Sequence, residues 1–120
     1  MATKKKTSPK KIGNVGTYVI SNLEGMSTLA SSTLEVLVAG LNLGAHPIEI
    51  WVGPSASSLR LLVSGSFTNL GVLKFQAPIS IADVSVTGQM TVQLVPKSTG
   101  VGSNLASLSY IKISMAQALD

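Results

Sequence analysis

The residues with the clearest chemical preference are five lysines near the start of the chain: Lys4, Lys5, Lys6, Lys10 and Lys11. They contribute +5 to a net charge of +4, so the rest of the chain sums to −1. Clustered ammonium groups bind anionic surfaces, either nucleic-acid phosphates or an acidic protein patch. No aromatic residue lies among them, so any nucleic-acid contact is expected to be non-specific and sensitive to salt. The other interpretation of this segment is a solubilising tail.

The remaining chain lacks the residue sets that catalysis or metal binding usually requires. Cysteine is absent and His46 is the only histidine, which argues against a metal site because metal ligands cluster. The serines have this one histidine as a possible base, and there is no G-x-S-x-G turn. Glu49 and Asp83 could meet in space, but nothing in their spacing pairs them. We therefore predict a protein that is not an enzyme and uses no cofactor.

The composition favours strands packed on strands. Hydrophobic residues make up 45% of the 120 residues and aromatic residues only 4%, so the core must be built from Val, Leu, Ile and Ala. Val and Ile are β-branched and favour strands. Charged residues amount to 12%, which is about half the share in a typical soluble domain. Such a chain has difficulty covering its surface with polar groups, so we expect part of that surface to be buried in an assembly.

Alternating apolar residues and turn signals predict about eight strands without a β-α-β rhythm, the pattern of an antiparallel β-sandwich or jelly roll. Residues 1–11 hold a proline and almost no apolar side chain, so a flexible basic arm is expected there. A single β-sandwich domain is expected over residues 12–120, with residues 115–120 open between strand and helix. The predicted strands span residues 18–21, 33–39, 48–52, 59–67, 72–75, 79–86, 90–95 and 107–114.

Two stretches of the chain resemble each other. Residues 32–40 and 57–65 share serine, leucine, valine and glycine at matching positions, and an Asn-Leu-Gly segment follows each of them, at 42–44 and 69–71. A duplicated strand pair would suit a two-sheet Greek-key fold. The chain is rich in these residue types, however, so chance similarity is the alternative.

Several apolar side chains fall on strand rows that should point away from the core. Leu37 and Leu62 lie on the outer rows of the two repeated strands. Trp51 and Tyr110 each share a row with a charged residue. One interpretation is that loops of the same chain cover them. The other is a subunit interface, in which Trp and Tyr are common anchors.

A basic arm joined to a charge-poor β-sandwich resembles, in overall character, the small head-decoration (cement) proteins of tailed phages. This resemblance implies a non-enzymatic structural protein that forms a homo-oligomer, with a trimer favoured, on a larger protein shell such as a capsid. The arm would then clasp neighbouring subunits, and the protein would be located in the virion.

Two further functions are open. One is a coat-type or nucleic-acid-associated protein whose lysine-rich arm neutralises phosphates. The other is a carbohydrate- or ligand-binding β-sandwich, which normally displays several exposed aromatic residues on one face, whereas this chain has only Trp51 and two tyrosines to offer. No apolar stretch has the length of a membrane span, and the lysines are not followed by the apolar core of a signal peptide. We therefore predict no membrane partner, and a cytoplasmic location if the protein is not viral.

Overall fold

The computed structural model describes residues 16–23, 32–97 and 104–114, together with the strand backbone of residues 2–12 and of Met115. A 3₁₀ helix at Ile81–Asp83 accompanies eight strands: β1 (Ala2–Ile12), β2 (Gly16–Ile20), β3 (Ser32–Gly40), β4 (Ala45–Ser55), β5 (Ser58–Thr68), β6 (Val72–Ile79), β7 (Met90–Pro96) and β8 (Ala106–Met115).

The strands form two antiparallel sheets of four. Sheet I has the order β1-β8-β3-β6 and sheet II has the order β2-β7-β4-β5. The first strand pairs with the last, the second with the seventh, the third with the sixth, and the fourth with the fifth. The chain is therefore one long antiparallel ribbon folded over on itself, which is the jelly-roll arrangement. The prediction of an all-β antiparallel sandwich is confirmed.

The core lies between the two sheets and has the predicted aliphatic composition. Strict alternation along β3 buries Leu34, Val36 and Val38 and leaves their neighbours half-exposed. The same alternation along β4 buries Ile48 and Ile50. Each such side chain contributes roughly 1.5–3 kcal/mol through burial. Because one side of each strand is fixed to the core, the opposite side must form the outer surface of its sheet.

The basic segment, for which a flexible arm was predicted, has the backbone of a strand at the edge of sheet I. It forms β1, which pairs with β8 from Ala2 opposite Met115 to Ile12 opposite Ala106. Without β1, β8 would expose a row of unpaired backbone groups. Lysine and proline are common on edge strands because they discourage pairing with further chains. The lysine side chains lie outside the described residues, and so does their predicted contact with an anionic surface.

The strand predicted over residues 79–86 is not formed. Ile79 instead ends β6, which continues through Pro78 because an edge strand tolerates a missing backbone donor. The 3₁₀ helix follows, and the Asp83 carboxylate accepts a hydrogen bond from the backbone N–H of Ser80 at 2.9 Å. This local hydrogen bond competes with the extended conformation. The strand count agrees with the prediction only because β1 replaces this strand.

The other predicted strands are present, with different ends. β4 begins at Ala45 rather than at residue 48, so His46 and Pro47 are part of the strand. β8 continues to Met115, and residues 116–120 lie outside the described residues. The described part of the chain contains no helix long and apolar enough to cross a membrane.

Candidate functional site

The outer face of sheet II places the only tryptophan of the chain at its centre. Trp51 alternates with the buried Ile50 and Val52, so its ring points away from the core, and it is half-buried. Strand register sets Gln93 of β7 on one side of Trp51 and Leu61 of β5 on the other. The predicted outward position of Trp51 is therefore confirmed.

A β-bulge in β5 changes which leucines join this face. Val63 pairs with Ile50 and Leu61 pairs with Trp51, so Leu62 is the extra residue between them. A bulge shifts the alternation of the strand by one residue. Leu62 consequently packs against the core, whereas Leu61 is exposed. The predicted outward position of Leu62 is wrong, because alternation alone does not reveal a bulge.

An open cleft of about 490 Å³ lies beside the indole of Trp51. This volume falls in the range of small-molecule binding sites. Residues of β4, β5 and β7 line it, together with the turn between β4 and β5 and the residue that follows β7. Its lining is half apolar and half polar: Trp51, Ala56, Leu59 and Val95 on one hand, and Glu49, Ser57, Gln93 and Lys97 on the other.

The polar groups of the cleft are only partly engaged with each other. The indole Nε1–H of Trp51 donates to Oε1 of Glu49 at 3.1 Å, which fixes the ring orientation. The Lys97 ammonium lies 3.8 Å from the same oxygen, at the long limit of an ion pair. Gln93 donates to the Thr17 hydroxyl at 3.4 Å, a long hydrogen bond. Among the described residues, nothing donates to Oε2 of Glu49, so the cleft offers an acceptor, an amide and a cation.

The outer face of sheet I contains a comparable group of residues, in which both carboxylate oxygens already accept hydrogen bonds. Oε2 of Glu35 accepts from the Tyr110 hydroxyl at 2.5 Å, and Oε1 accepts from the Gln76 amide at 2.6 Å. The Tyr110 hydrogen bond is the main reason that the pKa of Glu35 lies below its usual value, and the amide of Gln76 and nearby lysines act in the same direction. The same bond raises the pKa of Tyr110. Leu37 is the register partner of Tyr110 on this face.

Glu49 and Asp83, the two carboxylates considered as a possible pair, bind different partners. Asp83 is buried and accepts both guanidinium hydrogen bonds of Arg60, at 2.7 and 2.8 Å. Burial opposes ionisation of Asp83 and is the largest single influence, but Arg60 and the Ser80 N–H together hold its pKa below the usual value. Glu49, in contrast, contacts Trp51 and Lys97 on the outer face of sheet II. The arrangement is not a catalytic carboxylate pair.

His46 is fully buried at the end of the sandwich where β4 begins. Its Nδ1 lies 2.8 Å from Oδ1 of Asn104. The Asn104 amide nitrogen donates to the backbone oxygens of Pro47 and Lys97, so its oxygen must face the ring. Nδ1 is therefore a donor.

The second nitrogen of the His46 ring also faces acceptors. Nε2 lies 2.9 Å from the backbone oxygens of both Asn42 and Asn69. A carbonyl oxygen can only accept, so both contacts of this nitrogen are with acceptors. His46 joins three loops at this end of the sandwich. No three His, Asp or Glu side chains come together within the described residues to form a metal site.

The predicted functional residues thus fall into four separate places. Lys4, Lys5, Lys6, Lys10 and Lys11 lie on β1 at the edge of sheet I. Leu37 and Tyr110 share the outer face of sheet I, Trp51 lies on the outer face of sheet II, and Leu62 packs on the core. These four residues do not form one patch.

Sequence reasoning missed the residues that surround Trp51. The pairing of β4 with β5 and β7 brings Leu59, Gln93 and Lys97 to the cleft, and the last two are distant from Trp51 in sequence. The one available signal was the shared row of Trp51 and Glu49 on β4.

No protein-family model matches this sequence, and no curated protein matches it either. Solved structures do resemble it. A carbohydrate-binding module, CBM36, in complex with calcium and xylotriose has 16% identity and a TM-score of 0.51, covering 95% of this chain and 100% of that one. The EclA C-terminal domain, a sugar-binding protein, has 10% identity and a TM-score of 0.61, covering 91% of this chain and 79% of that one.

A third similar structure belongs to an enzyme. Latent aurone synthase, a polyphenol oxidase, has 12% identity and a TM-score of 0.68, covering 96% of this chain but only 26% of its own. At such identities the likeness shows a shared β-sandwich fold. Function must be argued from the site itself.

Proposed function

We propose that this chain is a non-catalytic binding module whose ligand is a carbohydrate, held in the cleft beside Trp51. The observation that carries this proposal is the half-buried indole, set next to a carboxylate, an amide and an ammonium group that retain hydrogen-bonding capacity. Apolar area with a few convergent polar groups is the usual composition of a small-molecule site.

A sugar ring suits this combination of groups. Its C–H groups form an apolar face that can lie on the indole, and its rim of hydroxyls both donates and accepts hydrogen bonds. Oε2 of Glu49 accepts from a hydroxyl, the Lys97 ammonium donates to one, and the Gln93 amide does either. The hydrogen bond from Trp51 to Glu49 holds the platform in place before the ligand arrives, which lowers the ordering cost of binding.

The likeness to a module solved with xylotriose and to a sugar-binding domain supports this proposal. The first of these structures also contains calcium. Because the described residues bring no three His, Asp or Glu side chains together, we base recognition in this chain on direct side-chain contacts.

Affinity electrophoresis tests the proposal. The chain is run through native gels that contain xylan, mannan, β-glucan or pectin, alongside Trp51→Ala and the control Tyr110→Ala, which removes an aromatic ring from the opposite sheet. At least one polysaccharide should retard the wild type and Tyr110→Ala but not Trp51→Ala. Circular dichroism confirms that both variants fold. Migration unaffected by every polysaccharide, or retardation that survives in Trp51→Ala, would overturn the proposal.

A second candidate function has its own observation. The exposed Leu61 and Val19 extend the apolar surface around Trp51 across sheet II, and this area favours a subunit contact of the kind made by an assembly or decoration protein. Size-exclusion chromatography with light scattering tests this function. A trimer that dissociates in Leu61→Ser would support it, whereas a monomer at every concentration would contradict it.

A further inference from the structure

A cluster of exposed apolar side chains lies at one end of the sandwich, outside the cleft. Leu43 and Leu70 are 75% and 66% exposed, and Leu41 and Val72 flank them. We call these four residues the leucine tip. Leu41 and Leu43 belong to the β3–β4 loop, Leu70 belongs to the β5–β6 turn, and Val72 begins β6. The loop and the turn contain the two Asn-Leu-Gly segments of the sequence.

The two Asn-Leu-Gly segments hold each other in position. The backbone N–H of Asn69 donates to the Gly44 oxygen at 2.7 Å, and the N–H of Gly44 donates to the Asn69 side chain at 2.9 Å. Both residues have positive φ angles, of 56° and 111°, which asparagine and glycine tolerate best. The loops are thereby fixed in the conformation that displays the leucines.

Polar groups of these loops turn inward, away from the leucines. The oxygens of Asn42 and Asn69 contact the buried ring of His46 at 2.9 Å. The N–H groups of Gly40 and Leu41 donate to backbone oxygens of neighbouring loops. A surface that enters the boundary of a bilayer must satisfy its backbone polar groups internally, and these loops do so at the positions named.

The loops at this end of the sandwich carry no acidic residue. Residues 40–47, 67–73 and 104–108 contain no aspartate or glutamate. Lys74 is exposed and follows Val72 by two residues, whereas the Lys97 ammonium faces Glu49 in the cleft. On β1, Lys11 is the register partner of Ser107, so its backbone lies near this end too.

We propose that the leucine tip docks on a lipid bilayer that carries anionic headgroups, with Leu43 and Leu70 entering the headgroup region. Apolar side chains for insertion beside lysines for lipid charge are the combination used by proteins that lie on anionic membranes. The leucines project singly from two turns, which suits a fluid bilayer that closes around them. The prediction of no membrane partner rested on the absence of a spanning stretch, an argument that does not apply to peripheral docking.

Vesicle flotation tests this proposal with the full chain. Wild type is mixed with vesicles of phosphatidylcholine alone, or of phosphatidylcholine with phosphatidylserine. It is compared with the double variant Leu43→Ser/Leu70→Ser and with the control Val86→Ser, a fully exposed valine outside these loops. Wild type and Val86→Ser should float with phosphatidylserine vesicles, and the double variant should bind at least about tenfold more weakly.

Three results would overturn the proposal: no flotation of wild type, undiminished flotation of the double variant, or a homo-oligomer that the double variant abolishes, which would mean that a second copy covers the tip. Retardation by polysaccharide should be unchanged in the double variant, so the membrane and carbohydrate proposals can fail separately.

Discussion

The outer faces of the two sheets carry the same pair of residue types and use them differently. On each face an aromatic side chain donates a hydrogen bond to a glutamate: Tyr110 to Glu35 on sheet I, and Trp51 to Glu49 on sheet II. Gln76 engages the second oxygen of Glu35, whereas no described residue donates to the second oxygen of Glu49. A saturated carboxylate stabilises its own sheet, and a partly engaged one is available to a ligand.

The cleft beside Trp51 reinforces this difference between the two faces. Trp51 borders an open cleft that the β4–β5 turn and the end of β7 also line. Exposed hydrogen bonds compete with water, and those made in a cleft are partly shielded from it. The proposal therefore places ligand binding on sheet II and gives the polar residues of sheet I a structural role, and the following predictions test that division.

The largest effect is expected at Asp83, the most completely saturated carboxylate described. Arg60→Ala leaves this buried carboxylate without its cation, which should destabilise the fold by about 2 kcal/mol. Urea unfolding of the variant measures the loss, with Lys74→Ala as the control for removal of an exposed cation. A free energy of unfolding equal to that of the wild type would contradict the account of this pair.

The pH dependence of Asp83 has a definite sign. Its pKa is lower in the folded protein than in the unfolded chain, so the ion pair stabilises the fold above the unfolded pKa, and this stabilisation is lost as pH falls through the folded pKa. The decrease in stability on acidification should therefore be smaller in Asp83→Asn than in the wild type. An equal decrease, measured by urea unfolding at stepped pH, would show that other carboxylates dominate.

The next largest effect is expected on ligand affinity and compares Glu49 with Glu35. Glu49→Ala should weaken about tenfold the binding of an oligosaccharide taken from the polysaccharide that retards the wild type. The variant loses both a charge-assisted hydrogen bond to the ligand and the hydrogen bond that orients Trp51. Glu35→Ala should leave the dissociation constant unchanged. Isothermal titration calorimetry of both variants compares the faces directly. Equal losses in the two variants would remove the distinction between the sheets.

A smaller effect should appear in the alkaline titration of sheet I. Tyr110 has a raised pKa because it donates to Glu35, so this bond stabilises the fold below the unfolded tyrosine pKa and is lost as pH rises through the folded one. In Glu35→Gln the absorbance transition of Tyr110 should move to lower pH. Tyr110→Phe identifies the transition, since Tyr18 then remains as the only tyrosine. A transition that does not move would refute the coupling.

Much of the fold could be predicted from the sequence, because local alternation specifies it. β3, β4 and β7 follow a period of two, with aliphatic residues on the core side, and Trp51 was placed outward by the same argument. Pairing between distant strands escaped prediction. The lysine-rich segment pairs with the edge of β8 as β1, although it has almost no apolar side chain from which a strand could be predicted.

The candidate site was predictable only in its central residue. Leu62 turns inward because of a bulge against β4, and Gln93 and Lys97 reach the cleft through pairing of β4 and β7. Asp83 is held in a 3₁₀ helix by Ser80 and Arg60, where alternation indicated a strand. In each case a contact distant in sequence, or a local capping bond, overrode the periodic pattern.

The measurement that tests the central claim most directly is the fluorescence of Trp51. It is the only tryptophan in the chain, so its emission reports on this cleft alone. Xylotriose and oligosaccharides of the other gel polysaccharides are titrated into the wild type. A saturable change in emission, with a midpoint that Glu49→Ala shifts and Glu35→Ala does not, is the predicted result. Emission unchanged at saturating concentrations of every sugar would contradict the assignment of sheet II as a carbohydrate-binding face.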